Sequence, residues 1–388
     1  MRILHVIPAF LPSRGYGGGP SIAYKICRLL VSRGHEVTVF TTDANDGDTR
    51  LASGISRIDG MTVHVFKNIS NRIAYRNKFF FAPLMIPSLR RIADHIELVH
   101  LHDLRTSLAV LVEYFSRGRY PYIVQAHGVI PIRSGGMALP KNIFDMIWGR
   151  GIIKNASGDV ALNDDEANAY TRMGANPDRV TIIPNGIDLA EYQNLPPKGC
   201  FRKRHDLVGY PLVLYIGRIH ESKRIDLLIK TFASLPTPLE DAKLVIAGPD
   251  DGALRSIKHL SSTLGIEERV LFIGFLDGRE KMEAYTDADV FVTPRFTGFP
   301  LTFLESMACG LPILATNRGD VIKEIDGRAG LITSYGNEEF RDAMIRILTD
   351  STLQAQLRFG ARQLVLQYDW GILIGMFEEL YRKIRSSK

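Results

Sequence analysis

The sequence is poor in cysteine: Cys27, Cys200 and Cys309 are odd in number, far apart and without the spacing of a metal site. That excludes a disulfide framework and points to a reducing compartment, so a cytoplasmic location is expected. Long apolar runs are missing too. No segment approaches the roughly 18 consecutive apolar residues of a membrane-spanning helix. The opening Met1-Arg2-Ile3-Leu4-His5-Val6-Ile7-Pro8 is too short an apolar run for a secretory signal and reads as a first buried strand. Charge of one sign is scarce as well. A formal net charge of +6 suits a phosphate-bearing small ligand or an anionic membrane surface without requiring either, and no nucleic-acid partner is expected.

What remains is an ordinary globular composition, 45% hydrophobic and 23% charged. At 388 residues the chain exceeds one typical core and should divide in two. Strand-like and helix-like segments alternate almost throughout. Residues 2–7, 37–41, 98–100, 122–126, 160–162 and 180–183 read as strands, and 61–66 is a candidate extra strand after the turn signal Asp59-Gly60. Between the first two, Ile22, Ile26, Leu29 and Leu30 recur at helical spacing and stop before Gly34. The pattern restarts at 212–216 and runs on through 243–247, 270–273, 290–292, 313–315 and 331–333. Two such arrays imply an α/β fold of two doubly wound, Rossmann-like domains. Their junction is expected near Pro184-Asn185-Gly186-Ile187-Asp188 or in the polar stretch 196–204 behind it. Ligands would bind beyond the strands' carboxyl ends, in a central cleft between the domains.

Chemistry concentrates in residues 293–312. Thr293-Pro294-Arg295-Phe296-Thr297-Gly298-Phe299-Pro300 joins a strand to a helix over 302–308 that should stop before Gly310. A strand, a tight loop and a helix aim backbone N–H groups and a positive helix end at an anion. Glu305 follows Thr302 by three residues, so it reads either as half of a capping box or as a carboxylate that grips a ligand. Gly15-Tyr16-Gly17-Gly18-Gly19-Pro20 follows the first strand; it permits close approach of a ligand to the backbone, or serves as a plain turn. It fits a dinucleotide fingerprint badly, because Pro20 replaces the third glycine and Asp43 is only a loose candidate for the acid after the second strand. Arg218 and Lys223 flank a helix start at 225–232, where cations and amides would hold a diphosphate; a solvated basic loop is the alternative. His127-Gly128 ends the strand 122–126, and its imidazole serves either a proton, sugar hydroxyl or phosphate, or loop carbonyls.

Other clusters carry weaker signals. His100, His102 and Asp103 lack a third well-spaced ligand, so no metal is expected. Asp287-Ala288-Asp289 reads as the end of a helix over 280–286 and a turn cap rather than a metal-binding pair. Arg72, Arg76, Lys78, Arg90 and Arg91 bracket the apolar 79–86. The segment from Arg72 to Phe81 reads either as an interfacial contact with an anionic membrane or as a partly buried helix with a solvated basic face.

Seven segments taken together resemble the family-4 (group 1) retaining glycosyltransferases of the GT-B fold. They are Gly17-Gly18-Gly19-Pro20, His127-Gly128, Ile183-Pro184-Asn185-Gly186-Ile187-Asp188, and Tyr215-Ile216-Gly217-Arg218 through Lys223. Val245-Ile246-Ala247-Gly248-Pro249, Phe272-Ile273-Gly274 and Leu304-Glu305-Ser306-Met307-Ala308-Cys309-Gly310-Leu311-Pro312 complete them. The order and spacing carry the likeness over nearly the whole chain. The resemblance implies an acceptor-side domain over 1–188, a donor domain over 189–368, and a last helix over 369–388 that crosses back to the first domain. It implies transfer of a sugar from a nucleotide-diphosphate donor, such as a UDP- or GDP-sugar, to a glycan or lipid-linked acceptor. Retention at the anomeric carbon is expected, with no obligatory metal and no cofactor beyond the donor. The setting would be polysaccharide or cell-surface glycan synthesis, at the inner membrane face where the enzyme is peripheral.

The candidate catalytic residues carried over are His127, Arg218, Lys223 and Glu305. The candidate donor-binding residues are Gly18, Gly19, Arg218, Lys223, Thr297, Gly298, Phe299, Leu301 and Glu305. Arg218 and Lys223 would take the diphosphate and Glu305 the ribose hydroxyls. Gly18 and Gly19 would approach the phosphates or acceptor, and His127 would lie near the reacting sugar. A departing diphosphate gains negative charge, which preorganised cations and amides stabilise most in the transition state. Three positions depart from the pattern. The family's two glutamates, with seven residues between them, would put the first at Thr297. Pro300 stands where relatives carry glycine, which removes a backbone N–H. Arg224 replaces the glycine after the lysine. Two rival readings follow: a nucleotide-sugar-binding protein that lost turnover with the first glutamate, and a dinucleotide-dependent α/β enzyme.

Overall fold

Short runs rich in Val, Ile and Leu form the strands in a computed structural model, which describes all residues except 14, 15, 17, 78, 118, 131–137, 297–298, 318–322 and 387–388. The chain divides into two units, Met1–Asn185 with Gly371–Lys388, and Gly186–Trp370. Among the described residues no helix is long and apolar enough to cross a membrane. The three cysteines are free.

The first unit holds β1 (Arg2–Val6), β2 (Glu36–Thr42), β3 (Gly54–Ile58), β4 (Met61–Phe66), β5 (Leu98–His102), β6 (Tyr122–Gln125), β7 (Gly158–Ala161) and β8 (Val180–Ile182). They form one sheet in the order β3-β4-β2-β1-β5-β6-β7-β8. All neighbours pair in parallel except β3 with β4. β1 lies between β2 and β5, so the winding reverses there. The extra strand forms over 61–66. β3 was not legible: its residues are almost all exposed, and it is an edge strand turned onto β4 by Asp59-Gly60. Helix Gly19–Ser32 buries Ile22, Ile26 and Leu30, the stripe its spacing predicts.

The terminal helix Trp370–Ser386 belongs to the first unit from Gly371 onward. Phe377 and Tyr381 are buried there. Glu378 accepts from Arg33 Nη1 at 2.8 Å and meets His35 Nε2 at 2.9 Å. Burial opposes the charge of Glu378, but the bonds from His35 and Arg33 outweigh it and hold its carboxyl below the usual glutamate range.

The second unit holds β9 (Leu212–Ile216), β10 (Lys243–Ala247), β11 (Val270–Gly274), β12 (Val290–Thr293), β13 (Ile313–Thr316) and β14 (Gly330–Thr333). All pair in parallel, in the order β11-β10-β9-β12-β13-β14. Val213, Leu244 and Val292 of the strands pack with Leu228 and Phe232 of helix Ile225–Ala233. Asp287 and Asp289 serve structure. Asp287 accepts from the amides of Gly199 and Arg202 at 2.5 and 3.0 Å. Asp289 accepts from the Arg202 guanidinium and the Leu212 amide, each at 2.8 Å.

Asp159 on β7 is buried, and its Oδ1 has no hydrogen-bond partner among the described residues. Burial pushes its carboxyl up to about 8, although nearby Arg179 pulls the other way. The folded chain therefore keeps a proton that an unfolded aspartate releases near pH ~4. Stability from this group is present at low pH and is lost as pH rises toward about 8. Asp159→Asn should raise the Tm at pH 8 by several degrees and change it little at pH 4. Thermal unfolding at both values checks this, and an equal shift at both would refute it.

Candidate functional site

In the second unit, the loops after β9 and β10 run side by side. The Gly217 amide donates to Ala247 O at 3.0 Å and the Ile219 amide to Pro249 O at 2.9 Å. Gly248 has φ +143°, and a Cβ there would sit 1.9 Å from the Gly217 carbonyl oxygen, so the approach requires glycine. This contact brings Arg218 beside Asp251, with Nη1 2.5 Å from Oδ2 and the arginine side chain 60% exposed. An exposed pair of this kind is worth about 0–1 kcal/mol. A multiply charged anion can therefore replace Asp251. Lys223 closes the 3-10 turn Glu221–Lys223 just before helix Ile225–Ala233. Arg224 between them has φ 56° and ψ 41°, the left-handed conformation that glycine adopts most readily. Two bonds of 2.8 Å to Asp226 hold it there.

β12 leads into helix Leu301–Ala308. Its N-cap is Pro300 and no side chain caps it, so the capping-box reading of Thr302 and Glu305 does not hold. Glu305 instead reaches helix Gly278–Asp287. Lys281 Nζ donates to Oε1 at 2.6 Å and Tyr285 O–H to Oε2 at 3.0 Å. The other end of the helix explains why Glu305 is so placed. Gly310, at φ +67°, lets its own amide and that of Leu311 donate to Met307 O and Ser306 O at 2.9 Å each. Burial, with the Glu305 charge adding to it, raises the Tyr192 and Tyr285 phenols and pushes the Cys309 thiol up to about 12. A carboxylate offers about four acceptor sites. Among the described residues two are in use, which leaves capacity for a vicinal diol.

Leu301 opens this helix. The Phe299 ring is 4% exposed and packs on Tyr368 at 4.8 Å between centroids, so its backbone rather than its ring is the part available to a ligand. Thr297 and Gly298 lie outside the described residues, as do Gly15, Gly17 and Lys78.

In the first unit, helix Gly19–Ser32 starts after Gly18 without a side-chain cap, and a Cβ at Gly19 would meet nothing within 4 Å. His127, just past β6, is held at φ 55° and is followed by Gly128 at φ 81°. A non-glycine residue held there costs about 1–3 kcal/mol, which surrounding bonds must offset. Glu166 provides one: it accepts from the amides of Gly128 and Leu162 at 2.7 and 2.9 Å. Arg105 provides another, joining Asp145 through two bonds of 2.9 and 2.7 Å while donating to Ile130 O at 2.9 Å.

The His127 ring continues inward. Its Nε2 meets His102 Nδ1 at 2.9 Å, and His102 Nε2 meets His5 Nδ1 at 2.9 Å. His100 Nδ1 meets Tyr381 O–H at 2.7 Å. Burial lowers all four imidazoles, His5 to about 3 and His127 to about 4, so they are neutral at pH 7. The expectation that His100 and His102 lack a third companion needs correction. His5 of β1 faces them, and one ring nitrogen from each lies within 4.8 Å of the others. Sequence spacing missed this because the pairing of His5 with His100 is a long-range register. Asp103 stands apart and accepts from the Leu104 amide at 2.7 Å. Asp43 accepts from Arg50 and the Asn68 amide at 2.8 Å each and is buried, so it offers no acid to a dinucleotide ribose.

Two surfaces complete the first unit. Around helix Asn71–Asn77, Arg72, Ile73, Tyr75, Arg76 and Phe79 are exposed, while Phe80 is buried against Ala44 and Ala74. The helical run 138–155 exposes Leu139, Ile143, Met146, Ile147 and Trp148, with Arg150 and Lys154 beside them. Its i, i+4, i+7 spacing resembles a core-facing stripe, so sequence alone gave no sign of exposure. A cavity of about 630 Å³ lies at the amino ends of β6 and β8, lined by Arg117, Arg119, Arg179 and Lys383. It is on the opposite edge of the sheet from His127.

Comparison with known proteins decides the family. A family model described as Glycosyltransferase Family 4 matches residues 16–191, and one described as Glycosyl transferases group 1 matches residues 200–364. The chain is a group 1, family 4 glycosyltransferase. The glycosyltransferase is 25% identical to the D-inositol 3-phosphate glycosyltransferase of Xylanimonas cellulosilytica, over 95% of this chain and 93% of that protein. A sucrose-phosphate synthase from Thermosynechococcus elongatus superposes with a TM-score of 0.80 at 20% identity, covering 100% of both chains. HepE from Anabaena, in complex with UDP, gives a TM-score of 0.80 at 18% identity over 99% of this chain and 100% of that one. The architecture of this glycosyltransferase is GT-B.

The half-buried Lys281–Glu305 pair should couple measurably. A double-mutant cycle with Lys281→Met and Glu305→Gln should give an interaction energy of about 1–2 kcal/mol in denaturant unfolding. Strict additivity would show that the two side chains do not interact.

Proposed function

We propose that this glycosyltransferase moves a sugar from a nucleoside-diphosphate donor to a glycan or lipid-linked acceptor, with retention at the anomeric carbon and without a metal. The observation that carries the reading is the carboxylate of Glu305. It is withheld from its own helix cap and steadied by Lys281 and Tyr285, with acceptor capacity left for ribose hydroxyls. Arg218 and Lys223, on the loop after β9, take the diphosphate and supply the positive charge that a metal supplies in other transferases. The backbone at Phe299 and Leu301 adds amide donors beside the helix end. HepE was crystallised with UDP and with UDP-glucose, which supports a uridine donor for this chain. In the first unit, His127 serves the reacting sugar, while Gly18 and Gly19 admit phosphate or acceptor.

Thr297 favours a second reading, in which the protein binds a nucleotide sugar without turnover, because a hydroxyl brings no charge to the place of the first glutamate. Donor hydrolysis and transfer by wild type and by Thr297→Glu separate the two. Turnover by wild type supports the enzyme, and turnover by the substituted protein alone supports the binding protein. Arg218→Ala and Lys223→Ala should each weaken UDP binding about tenfold or more, since each removes a charge-assisted bond. Unchanged calorimetric titrations would refute that assignment.

The lipid-linked acceptor reading brings the exposed apolar and basic surfaces to an anionic bilayer, from Arg72 to Phe79 and from Leu139 to Trp148. Trp370 is buried, so the fluorescence response of the two tryptophans to vesicles comes from Trp148. Anionic vesicles should shift that emission to the blue and pellet the protein. No shift, or equal pelleting with neutral vesicles, would remove the membrane claim.

A further inference from the structure

His127 does not stand alone. It ends a chain of three rings, His127 half-buried and His102 and His5 buried, in which His127 Nε2 meets His102 Nδ1, and His102 Nε2 meets His5 Nδ1, each at 2.9 Å. At the two ends, His127 Nδ1 and His5 Nε2 are buried without a hydrogen-bond partner among the described residues. We propose that His102 and His5 are positioning residues that fix which nitrogen of His127 carries its proton. This rests on the reading that His127 serves the reacting sugar.

The reasoning is proton counting. A neutral imidazole has one N–H and one bare nitrogen. If His102 Nδ1 donates to His127 Nε2, then His127 must carry its own proton on Nδ1. His102 Nε2 is then bare and accepts from His5 Nδ1, which leaves His5 Nε2 bare. Reversing one bond reverses the other, so His127 Nδ1 becomes bare and His5 Nε2 becomes an N–H. Both arrangements leave one donor unsatisfied, at opposite ends. In the first it sits on His127, the half-buried ring of the three, where the oxygen of a bound sugar or phosphate would accept it. In the second it stays on His5, sealed under β1 and β5, and a buried orphan N–H is the costlier group to leave. A bound oxygen therefore selects the first arrangement, and His127 presents an N–H at Nδ1. Neutrality of all three rings keeps the count valid, and burial provides it.

Nitrogen NMR of the intact protein labelled at histidine tests this directly. Wild type should show coupling across both N–H···N bonds and, with UDP-sugar present, a protonated Nδ1 on His127. His102→Leu should turn His127 into a tautomer mixture and lower kcat about tenfold or more with donor KM unchanged. His102→Asn, whose amide nitrogen falls near Nδ1, should restore most of both. Absence of the couplings in wild type overturns the proposal, even where the leucine variant fails to fold. So does an unchanged His127 tautomer in a folded His102→Leu protein. A stoichiometric zinc ion retained on His5, His100 and His102 would overturn it too, because it would displace the His5–His102 proton. If the couplings are present but His127→Ala transfers normally, the role of His127 at the sugar fails instead.

Discussion

Parallel pairing confines every loop that follows a strand of the second unit to one edge of the sheet, and the order β10-β9-β12 places the reversal of winding at β9. Loops leaving β9 and β12 turn to opposite faces there, so space opens between them without any side chain being removed. Arg218 and Lys223 come from one of those loops and helix Leu301–Ala308 from the other. In the proposed site the two segments complement each other: the first has cations, and the second has backbone amides and a carboxylate. The sheet is what makes them neighbours. The first unit repeats the device at β1 and β5, where the reversal puts Gly18 and Gly19 on one side and His102 on the other.

Much of this was legible because the inner strands of both sheets, such as β1, β5, β9 and β12, are buried on two faces, and such strands read as plain apolar runs. The six strands of the second unit and all but one in the first were visible this way. β3 was not, since an exposed edge strand has no buried face to leave a pattern. The site divides along the same line. Arg218, Lys223, His127 and Glu305 sit in local motifs of a few residues. Their partners do not: Lys281 and Tyr285 reach Glu305 from 24 and 20 residues away, and His5 reaches His102 across 97. Helix–helix and strand–strand contacts of that span leave no trace in local periodicity. The exposed stripe from Leu139 to Trp148 was not singled out in the sequence, because helical spacing of apolar residues does not say whether anything covers them.

The departures from the family pattern have different physical weight. Arg224 adopts the backbone conformation of the glycine it replaces, so the loop geometry survives, and Asp226 and the Tyr335 ring absorb its charge. A non-glycine residue held in that conformation costs about 1–2 kcal/mol of backbone strain. Pro300 has no amide to donate, yet it serves as the N-cap of its helix, where the residue's N–H makes no intrahelical bond in any case. Thr297 is of another kind. Against the family pattern it puts a neutral hydroxyl in place of a carboxylate, so what it changes is charge.

Arg218 and Glu305 of the candidate site each have an ion-pair partner, and the two pairs differ in burial. Arg218 pairs with Asp251 in solvent, where water screens the attraction and a ligand phosphate with more charge competes well. Glu305 pairs with Lys281 with both side chains mostly covered, 25% and 15% exposed, where breaking the pair would leave a charge poorly solvated. The arginine is thus suited to exchange one anion for another, while the carboxylate keeps its cation and uses its spare acceptor positions. A carboxylate fixed in direction by its partners suits neutral hydroxyls, and a cation that releases its partner suits a diphosphate. In the proposed reading, the burial of each ion pair, more than the identity of its residues, favours giving the ribose to Glu305 and the phosphates to Arg218.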